Sequence, residues 1–310
     1  MAWREMAEID ELYQQLRPRA FALAYRMLGS VSEAEDVVQE AMIRLHRVLD
    51  SGEEIDSPAA YLSTITTRLA IDELRSARVR RERYVGEWLP EPLVTADENE
   101  PARHAEMADS LSLAFLTLLE DLTPEQRAVF LLREVFDYPY GEIAEIVGKS
   151  EPAARQLAVR ARGHVGEGRQ RFSASRDERD ELARRFFAAT EEGDLESLEE
   201  LLAEDVVLHG DGGGKAPALA RPVYGRARAA KTLRNWVRAG EKFGGFELRP
   251  TEINGQPGAM TLTPDGLVIS ILSLEIAEGR IQAIRGIVNP DKLRHLGPLA
   301  DVNALFRSGG

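Results

Sequence analysis

Hydrophobic positions recur at steps of three and four residues in the first fifty residues, a spacing that indicates amphipathic helices. Leu16, Leu23 and Met27 mark the apolar face of a first helix, which Gly29 ends. Ser32 is a suitable N-cap for a second helix, because its hydroxyl can accept a hydrogen bond from the first turn. The pattern therefore predicts two helices between residues 5 and 50.

A third helix is predicted to begin at Ser57-Pro58, since a hydroxyl cap followed by proline is typical of a helix start. Its apolar stripe includes Tyr61, Leu62, Ile65 and Leu69. Between residues 86 and 110 the periodicity is lost, and prolines and acidic residues dominate, so this segment is predicted to be a linker. Trp88 is unusual there, because an exposed large aromatic side chain commonly marks a docking contact.

Residues 111–172 are again helical in pattern. Thr123 followed by Pro124 and, three residues after the threonine, Gln126 predicts a capping box at a helix start. A short helix from Tyr140 to Val147, a glycine turn and a longer helix capped by Ser150 follow. This order predicts a helix-turn-helix.

After residue 177 the pattern changes to a helix pair followed by β-rich runs, with one helix at about 227–239 between them. Thr263-Pro264-Asp265-Gly266 and Glu278-Gly279 have the composition of hairpin turns. The pattern predicts an α+β domain with a curved antiparallel sheet. Its predicted strands are Val206–His209, Phe246–Ile253, Ala259–Thr263, Leu267–Ile276 and Arg280–Val288.

Composition narrows the class of protein. The 310 residues include no cysteine, which excludes disulfides and cysteine–zinc sites and favours a reducing cytoplasm. No apolar run is long enough for a membrane span, and the N-terminus lacks the features of a signal peptide. We therefore expect a cytoplasmic protein with no metal and no cofactor.

The formal net charge of −13 by itself argues against a nucleic-acid partner. The charge is unevenly distributed, however. Residues 68–83 carry six arginines against three acids, and residues 149–176 carry seven basic residues against two acids. Of the 39 basic residues 34 are arginine, whose planar fork pairs with phosphate or guanine. A GC-rich genome would account for the ratio, but it leaves the clustering unexplained.

Motifs in the two helical segments, residues 5–85 and 111–172, resemble those of a known family. Asp36-Val37-Val38-Gln39-Glu40-Ala41 and the helix from Tyr61 to Arg75 resemble region 2 of the bacterial sigma factors of the extracytoplasmic-function (ECF) family. The segment from Leu122-Thr123-Pro124-Glu125-Gln126-Arg127 through Arg162 resembles their region 4. Two complete regions in this order, joined by an acidic linker, imply an alternative sigma factor that binds core RNA polymerase and directs promoter-specific initiation.

Three further motifs are Trp88-Leu89-Pro90-Glu91-Pro92, Asp211-Gly212-Gly213-Gly214-Lys215 and Asn289-Pro290-Asp291-Lys292-Leu293. They resemble the signatures of a subgroup that carries a fused C-terminal SnoaL-like (NTF2-like) domain. The resemblance implies that this domain regulates the factor in place of a separate anti-sigma partner. The residues it assigns to interdomain regulation are Trp88, Leu89, Pro90, Asp211, Gly212, Gly213, Gly214, Lys215, Asn289, Pro290, Asp291 and Lys292.

The resemblance also implies roles by position. Asp36, Gln39 and Glu40 would dock the β′ clamp helices of the polymerase, and region 4 would meet the β flap. The residues matching the segment that meets the −10 element are Tyr61, Arg68, Asp72, Arg75, Arg78, Arg80 and Arg81. Family members usually have tryptophan at the position of Tyr61 and asparagine at that of Arg68, so the base contacts there are open.

The last helix of the helix-turn-helix is expected to read the −35 element as duplex DNA. In such motifs the N-terminal part of the recognition helix reads base edges, and later residues suit phosphates. The residues expected there are Ser150, Ala153, Arg155, Gln156, Arg160 and Arg162.

An enzymatic alternative remains open at this point, because SnoaL-like folds include isomerases and cyclases. His209 and Asp211 stand at a strand end, where acid–base chemistry could occur. Under this alternative, a DNA-targeting sigma-like front end is fused to an isomerase-type or ligand-sensing domain, and a small-molecule ligand would be a further partner. We expect no enzyme activity, no membrane partner and a monomeric free protein.

The expected organisation is region 2 over 1–85, an acidic linker over 86–107, region 4 over 108–173, a SnoaL-like domain over 178–295 and a tail over 296–310.

Overall fold

The computed structural model describes residues 2–53, 55–81, 83–95, 110–168, 175–242 and 244–308; the side chains of 2–10, 78–80, 167–168 and 308 lie outside that description. Most of the predicted acidic linker (96–107) and the end of the predicted region 4 (169–173) therefore fall outside the described residues. The chain forms two compact units. The first comprises Met1–Glu82 and Leu118–Gly168, and the second comprises Arg83–Thr117 and Arg169–Gly310.

The first unit is helical. Ser30, and not Ser32, caps the second helix, since its hydroxyl accepts a hydrogen bond from the Glu33 amide at 3.2 Å and the helix already begins at Val31. The third helix begins at Pro58, as its Ser-Pro start predicts. The first three helices are α1 (Ala2–Leu28), α2 (Val31–Asp50) and α3 (Pro58–Arg81).

The predicted helix-turn-helix is present. Thr123 and Gln126 form the expected capping box, and Gly148 ends the middle helix in a left-handed conformation with φ of +64°. Ser150 accepts a hydrogen bond from the Ala153 amide at the start of the last helix. After α4 (Leu113–Leu118), the helices are α5 (Pro124–Glu134), α6 (Tyr140–Val147) and α7 (Glu151–Gly168).

The second unit is an α+β domain. Its order is α8 (Arg176–Glu192), α9 (Leu195–Leu201), β1 (Leu202–Asp211), β2 (Val223–Tyr224), α10 (Arg226–Glu241), β3 (Glu247–Ile253), β4 (Gln256–Leu262), β5 (Val268–Ala277), β6 (Arg280–Ile287), α11 (Pro290–Leu293) and α12 (Val302–Ser308). The six strands form one sheet in the order β2-β1-β6-β5-β4-β3.

The sheet differs from the predicted antiparallel arrangement in one pairing, since β1 and β6 run parallel. The other neighbouring strands pair antiparallel, as hairpins require. Asp211 is level with Ile287, so the two strands end together. The loops that follow them therefore leave the same edge of the sheet.

The core of this domain lies between the sheet and the helices α8, α9 and α10. It includes Phe186 and Leu198 from the helices and Leu274 and Ile284 from the sheet, all fully buried. The predicted tail after residue 296 is also part of the domain. Leu299 forms a parallel bridge to Val268, and Val302 of α12 is buried.

Candidate functional site

Arginines of α3 contact the helices of region 4, which belong to the same compact unit. Arg68 donates to the carbonyls of Glu145 and Ile146 at 2.9 and 3.0 Å, at the C-terminal end of α6. A cation is favourable there, because the last carbonyls of a helix carry partial negative charge. Arg68, placed by resemblance at the −10 element, is exposed, but its guanidinium is already bonded to region 4 of the same chain.

Two more of the predicted −10 residues have acidic partners. Arg75 pairs with Glu125 at 2.6 Å and with Asp72 at 2.9 Å. Arg81 forms an ion pair with Glu120 and donates to the carbonyl of Leu28. We call Arg68, Arg75 and Arg81 the α3 arginines. The side chains of Arg78 and Arg80 lie outside the described residues, and Tyr61 is partly buried.

The buried Arg127 is a residue to which the sequence motifs assign no role. It is 1% exposed, donates to the carbonyl of Arg26 at 3.1 Å and pairs with Glu120 at 2.6 Å. Burial lowers the pKa of Arg127 to about 9 and that of Arg26 to about 10, so both remain charged near neutral pH. The contact between α1 and α5 thus contains two desolvated cations, and Glu120 joins one of them to Arg81.

The residues expected to meet the polymerase lie on the outer side of α2. Asp36 and Gln39 are exposed, and Glu40 is partly exposed and pairs with Arg44 at 2.7 Å. Their spacing of three and four residues places them on one face of the helix. An acidic and polar face of this kind suits a basic partner.

The start of α7 presents the residues expected to read the −35 element. Arg155 lies over the ring of Tyr140 at 4.5 Å and pairs with Glu151, while Gln156 and Arg160 are exposed. Arg162 pairs with Glu134 at 2.7 Å. Ser150 acts as the cap, and Ala153 is half-buried in the first turn.

The second unit contains the densest polar cluster, which holds the residues after α3 against the C-terminal domain. Asp211, at the end of β1, is fully buried. One carboxylate oxygen accepts from the hydroxyl of Tyr84, and the other accepts from the Leu89 amide at 2.8 Å and from Lys292 at 2.7 Å. Buried carboxylates require such partners, because an unpaired charge in the interior is costly.

Lys292 closes the cluster from the other side. Only 5% of it is exposed, and its ammonium group also donates to the carbonyl of Leu89. The same group lies 4.2 Å from the ring centre of Trp88 and 4.9 Å from that of Tyr84, within cation–π range. Asn289 donates to the Tyr84 hydroxyl at 2.7 Å. We call Tyr84, Trp88, Leu89, Asp211, Asn289 and Lys292 the linker clamp.

Trp88 is only partly buried, and the buried anchor of the linker is Leu89. Leu89 is fully buried among core residues of the sheet that include Ile271 and Ile287. Pro90 is buried beside it. The linker tryptophan therefore presents its ring face to Lys292, whereas the neighbouring leucine is the fully buried apolar side chain.

The glycine loop after β1 fits tightly against the clamp. Gly213 has a φ of +58°, and a Cβ on it would overlap the side-chain amide of Asn289. A Cβ on Gly212 would overlap the carbonyl of Ala216, and one on Gly214 would press against Val85 of the linker. Lys215 forms an ion pair with Asp291, and Pro290 begins α11. The predicted regulatory motifs are thus in mutual contact.

Four residues that join the linker and the C-terminal domain belong to none of the motifs found in the sequence. Tyr84 is one; burial and the Asp211 hydrogen bond raise the pKa of its hydroxyl, so it stays a neutral donor. Glu87 pairs with His209 at 2.7 Å, and His295 bonds the carbonyl of Pro92 at 2.8 Å. Asn254 exchanges hydrogen bonds with the backbone of Leu93. An Asn-Gly turn signal at 254–255 was the available clue.

The described residues were also compared with the requirements of a metal site and of a membrane-spanning helix. Among them, no group of three or more histidine, aspartate or glutamate side chains could hold a metal ion. No described helix is both long and apolar enough to cross a membrane.

Comparison with known proteins identifies the family. Residues 12–80 match sigma-70 region 2, residues 112–165 match sigma-70 region 4, and residues 183–288 match the SnoaL-like domain. The ECF RNA polymerase sigma factor SigJ of Mycobacterium tuberculosis is 39% identical over 296 residues, covering 92% of this chain and 93% of SigJ. Probable ECF sigma factor SigI of the same organism is 34% identical over 274 residues, covering 87% of this chain and 90% of SigI.

The crystal structure of SigJ superposes with a TM-score of 0.73 at 35% identity, covering 94% of this chain and all of that one. Both sigma regions and the SnoaL-like domain are therefore shared with a solved relative. The chain belongs to the ECF RNA polymerase sigma factors, and it is an alternative sigma factor that binds core RNA polymerase and promoter DNA to direct transcription.

Proposed function

We propose that this sigma factor is controlled by its own C-terminal domain, which holds the linker between regions 2 and 4 through the linker clamp. The observation that carries the proposal is the buried carboxylate of Asp211, which accepts from the Leu89 amide, Tyr84 and Lys292. The linker backbone is thereby bonded to the C-terminal domain. A domain that fixes the linker limits how far the two sigma regions can separate.

The α3 arginines support a closed form of the free protein. Arg68, Arg75 and Arg81 would face the −10 element in the initiation complex, yet each contacts region 4 here. These contacts and DNA cannot occupy the same guanidinium groups at once. Core polymerase, or a signal, would shift the population toward a form in which the contacts are broken.

In vitro transcription with core polymerase tests this proposal. Asp211→Asn removes the charge that organises the clamp and keeps its shape, so we expect transcript yield to rise several-fold. Asp265→Asn, at an exposed turn position, is the matched control and should leave the yield unchanged. An unchanged or lowered yield from Asp211→Asn would contradict inhibitory control by the clamp.

For promoter reading, we propose that Arg155 and Gln156 contact bases of the −35 element and that Arg160 and Arg162 contact its phosphates. Each good base contact is worth roughly 1–3 kcal/mol of discrimination. Arg155→Ala and Gln156→Ala should therefore each reduce selectivity for the −35 sequence by about tenfold or more. Arg184→Ala, an exposed arginine of the other unit, should not. Unaltered −35 selectivity in both α7 variants would refute this assignment.

For polymerase binding, we propose that Asp36, Gln39 and Glu40 dock the clamp helices, while region 4 meets the flap. Asp36→Lys should weaken binding to core polymerase, because it places a cation against a basic partner. Asp56→Lys, exposed in the loop before α3, is the charge-matched control. Such a factor would act in the cytoplasm, where the polymerase transcribes. Equal affinities of the two variants for core would remove Asp36 from the interface.

A second candidate function, ligand sensing, is favoured by a cavity in the C-terminal domain. The cavity measures about 120 Å³, and its described lining has no titratable side chain. The polar side chains that line it are the hydroxyl-bearing Thr190, Thr261 and Ser270 and the indole of Trp236. His209 pairs with Glu87, and Asp211 bonds the linker, so neither serves as an acid or base in the cavity. This chemistry suits binding of a neutral, mainly apolar molecule better than isomerisation.

The cavity is one residue from the clamp in two places. Gly210 and Val288 line it, and their neighbours Asp211 and Asn289 belong to the clamp. Indole is a suitable probe: it should raise the thermal stability of the full chain, since a ligand of the folded form stabilises it by mass action. Ala218→Phe should fill the cavity and abolish that rise, and exposed Ala227→Phe should preserve it. An equal response in both variants would place indole elsewhere.

A further inference from the structure

The C-terminal domain carries a third concentration of positive charge, which lies outside both sigma regions. Residues 212–242 contain eight basic residues and a single acidic one, Glu241. Because the whole chain has a net charge of −13, the remainder carries −20. Most of these basic residues belong to α10, the helix that follows the exposed β2.

The packing of α10 places its charges on the outside. Ala229, Leu233 and Val237 are buried against the sheet and the other helices. The exposed basic residues lie on the opposite side, at steps of three to seven residues over roughly 21 Å of helix axis. They are Arg228, Lys231, Arg238 and Lys242, with Arg226 and Arg234 half-buried at their flank.

These cations lack acidic partners. In the described parts of the chain, none of these six side chains forms an ion pair or a hydrogen bond, and the Nε atoms of Arg226 and Arg234 are buried without an acceptor. The α3 arginines, by contrast, have partners from region 4. A row of unpaired cations is costly to hold together by mutual repulsion, which an anionic partner would relieve.

We propose that this face of α10 binds the phosphate backbone of duplex DNA beside the promoter elements. Duplex DNA supplies one negative charge per about 1.7 Å of its axis, so it can neutralise a row of cations of this length. An acidic protein surface fits less well, because protein interfaces need buried apolar or aromatic anchors. No exposed side chain within α10 is large and apolar. The same lack of apolar side chains disfavours a membrane surface.

The test uses holoenzyme assembled from core polymerase and the full chain, titrated against a labelled promoter duplex at several salt concentrations. The variant Arg228→Ala/Lys231→Ala/Arg238→Ala keeps the helix, since alanine is a good helix former. We expect roughly tenfold weaker DNA binding and a salt slope smaller by about three. The control Arg184→Ala/Arg249→Ala/Arg307→Ala removes the same charge from other exposed positions.

An unchanged affinity and salt slope would overturn the proposal, as would an equal loss in the control variant, which would indicate only a bulk-charge effect. Reduced affinity for core polymerase with unchanged DNA binding would also overturn it, because the partner would then be an acidic protein surface. This inference is independent of the linker clamp. The Asp211→Asn experiment reads transcript yield with α10 intact, so either proposal can fail while the other stands.

Discussion

The linker clamp contains an ion pair, and so do the contacts of two α3 arginines, Arg75 and Arg81, but these ion pairs differ in exposure to water. In the clamp the side chain of Asp211 is fully buried and that of Lys292 is 6% exposed. In the Arg75–Glu125 pair the side chains are 57% and 24% exposed. Exposed pairs contribute little, about 0–1 kcal/mol, whereas removal of one partner from a buried pair costs several times more. The clamp is therefore suited to permanent attachment and the Arg75–Glu125 contact to switching, whereas Arg81 and Glu120, whose side chains are 18% and 19% exposed, lie between these two cases.

The hydrogen bonds support the same contrast. Clamp partners reach backbone groups of the linker, including the amide and carbonyl of Leu89. The α3 arginines instead reach the side chains of Glu125 and Glu120 and the helix-end carbonyls of Glu145, Ile146 and Leu28. Under the proposed control, the linker stays on the C-terminal domain in most molecules while regions 2 and 4 separate more readily. Variants that act on one contact and leave the other intact distinguish the two.

The largest effect is expected from Lys292→Met, which leaves Asp211 buried without its cation. The free energy of unfolding of the second unit should fall by about 3–5 kcal/mol. Hydrogen exchange of the linker amides should rise, starting with Leu89. Exposed Lys242→Met should stay within about 0.5 kcal/mol of the parent. If the double variant with Asp211→Asn lost the full sum of both single effects, the two side chains would not act as a pair.

A smaller effect is expected from Gly213→Ala. The left-handed conformation costs an alanine about 1–2 kcal/mol, and overlap with Asn289 adds roughly 1–3 kcal/mol. Gly279→Ala is the control: its φ of +69° is similar, and a Cβ there would meet no atom within 4 Å. Chemical denaturation should give the larger loss for Gly213→Ala, with faster exchange of the linker amides. Equal losses would mean that the loop does not press on the clamp.

The sequence predicted the helices and many of the residues compared here, but not how those residues meet in space. Helix starts at Pro58 and Pro124 follow from local hydrogen bonding, and the motifs around Leu89, Asp211 and Lys292 could be found by resemblance. Their meeting depends on β1 and β6 being parallel, so that both loops leave one edge of the sheet. An all-antiparallel expectation gives no reason for that meeting.

The ion-pair and hydrogen-bond partners of individual side chains could not be predicted from the sequence either. The resemblance assigns Arg68 and Arg75 to the −10 element, while their contacts with α6 and Glu125 depend on how two distant helices pack. Tyr84 and Asn254 carry no charge and stand outside the matched motifs, so only their contacts reveal them. The cation run on α10 was masked by acids elsewhere in the same long segment, since residues 177–310 carry 17 basic and 21 acidic side chains.

A still smaller effect on stability is expected from Glu125→Gln, which releases Arg75 without altering the arginine itself. The loss should be below about 1 kcal/mol because the pair is largely exposed. Transcript yield should nevertheless rise, by up to about fivefold, if the closed form dominates. Glu142→Gln, exposed on α6, is the control. A stability loss well above that limit would remove the distinction between switchable and permanent contacts.

The stability that the Arg75–Glu125 pair contributes should depend on pH at the acid end of the scale, and that of the clamp residue Tyr84 at the alkaline end. Burial alone would raise the pKa of Glu125, but the hydrogen bond and charge of Arg75 outweigh it and hold that pKa below the ordinary 4.5. A lowered carboxyl pKa contributes stability that is present above 4.5 and lost as pH falls through the lowered value. The pKa of Tyr84 is raised above its ordinary 10.0, chiefly by burial and then by Asp211, so its contribution is present below pH 10 and lost above it. Between pH 6 and about 8 the stability from neither contact should change with pH.

In unfolding measurements across pH, Glu125→Gln should remove only part of the acid-side loss, and Tyr84→Phe only part of the alkaline-side loss. A change on the alkaline side in Glu125→Gln would show that the two contacts are not independent.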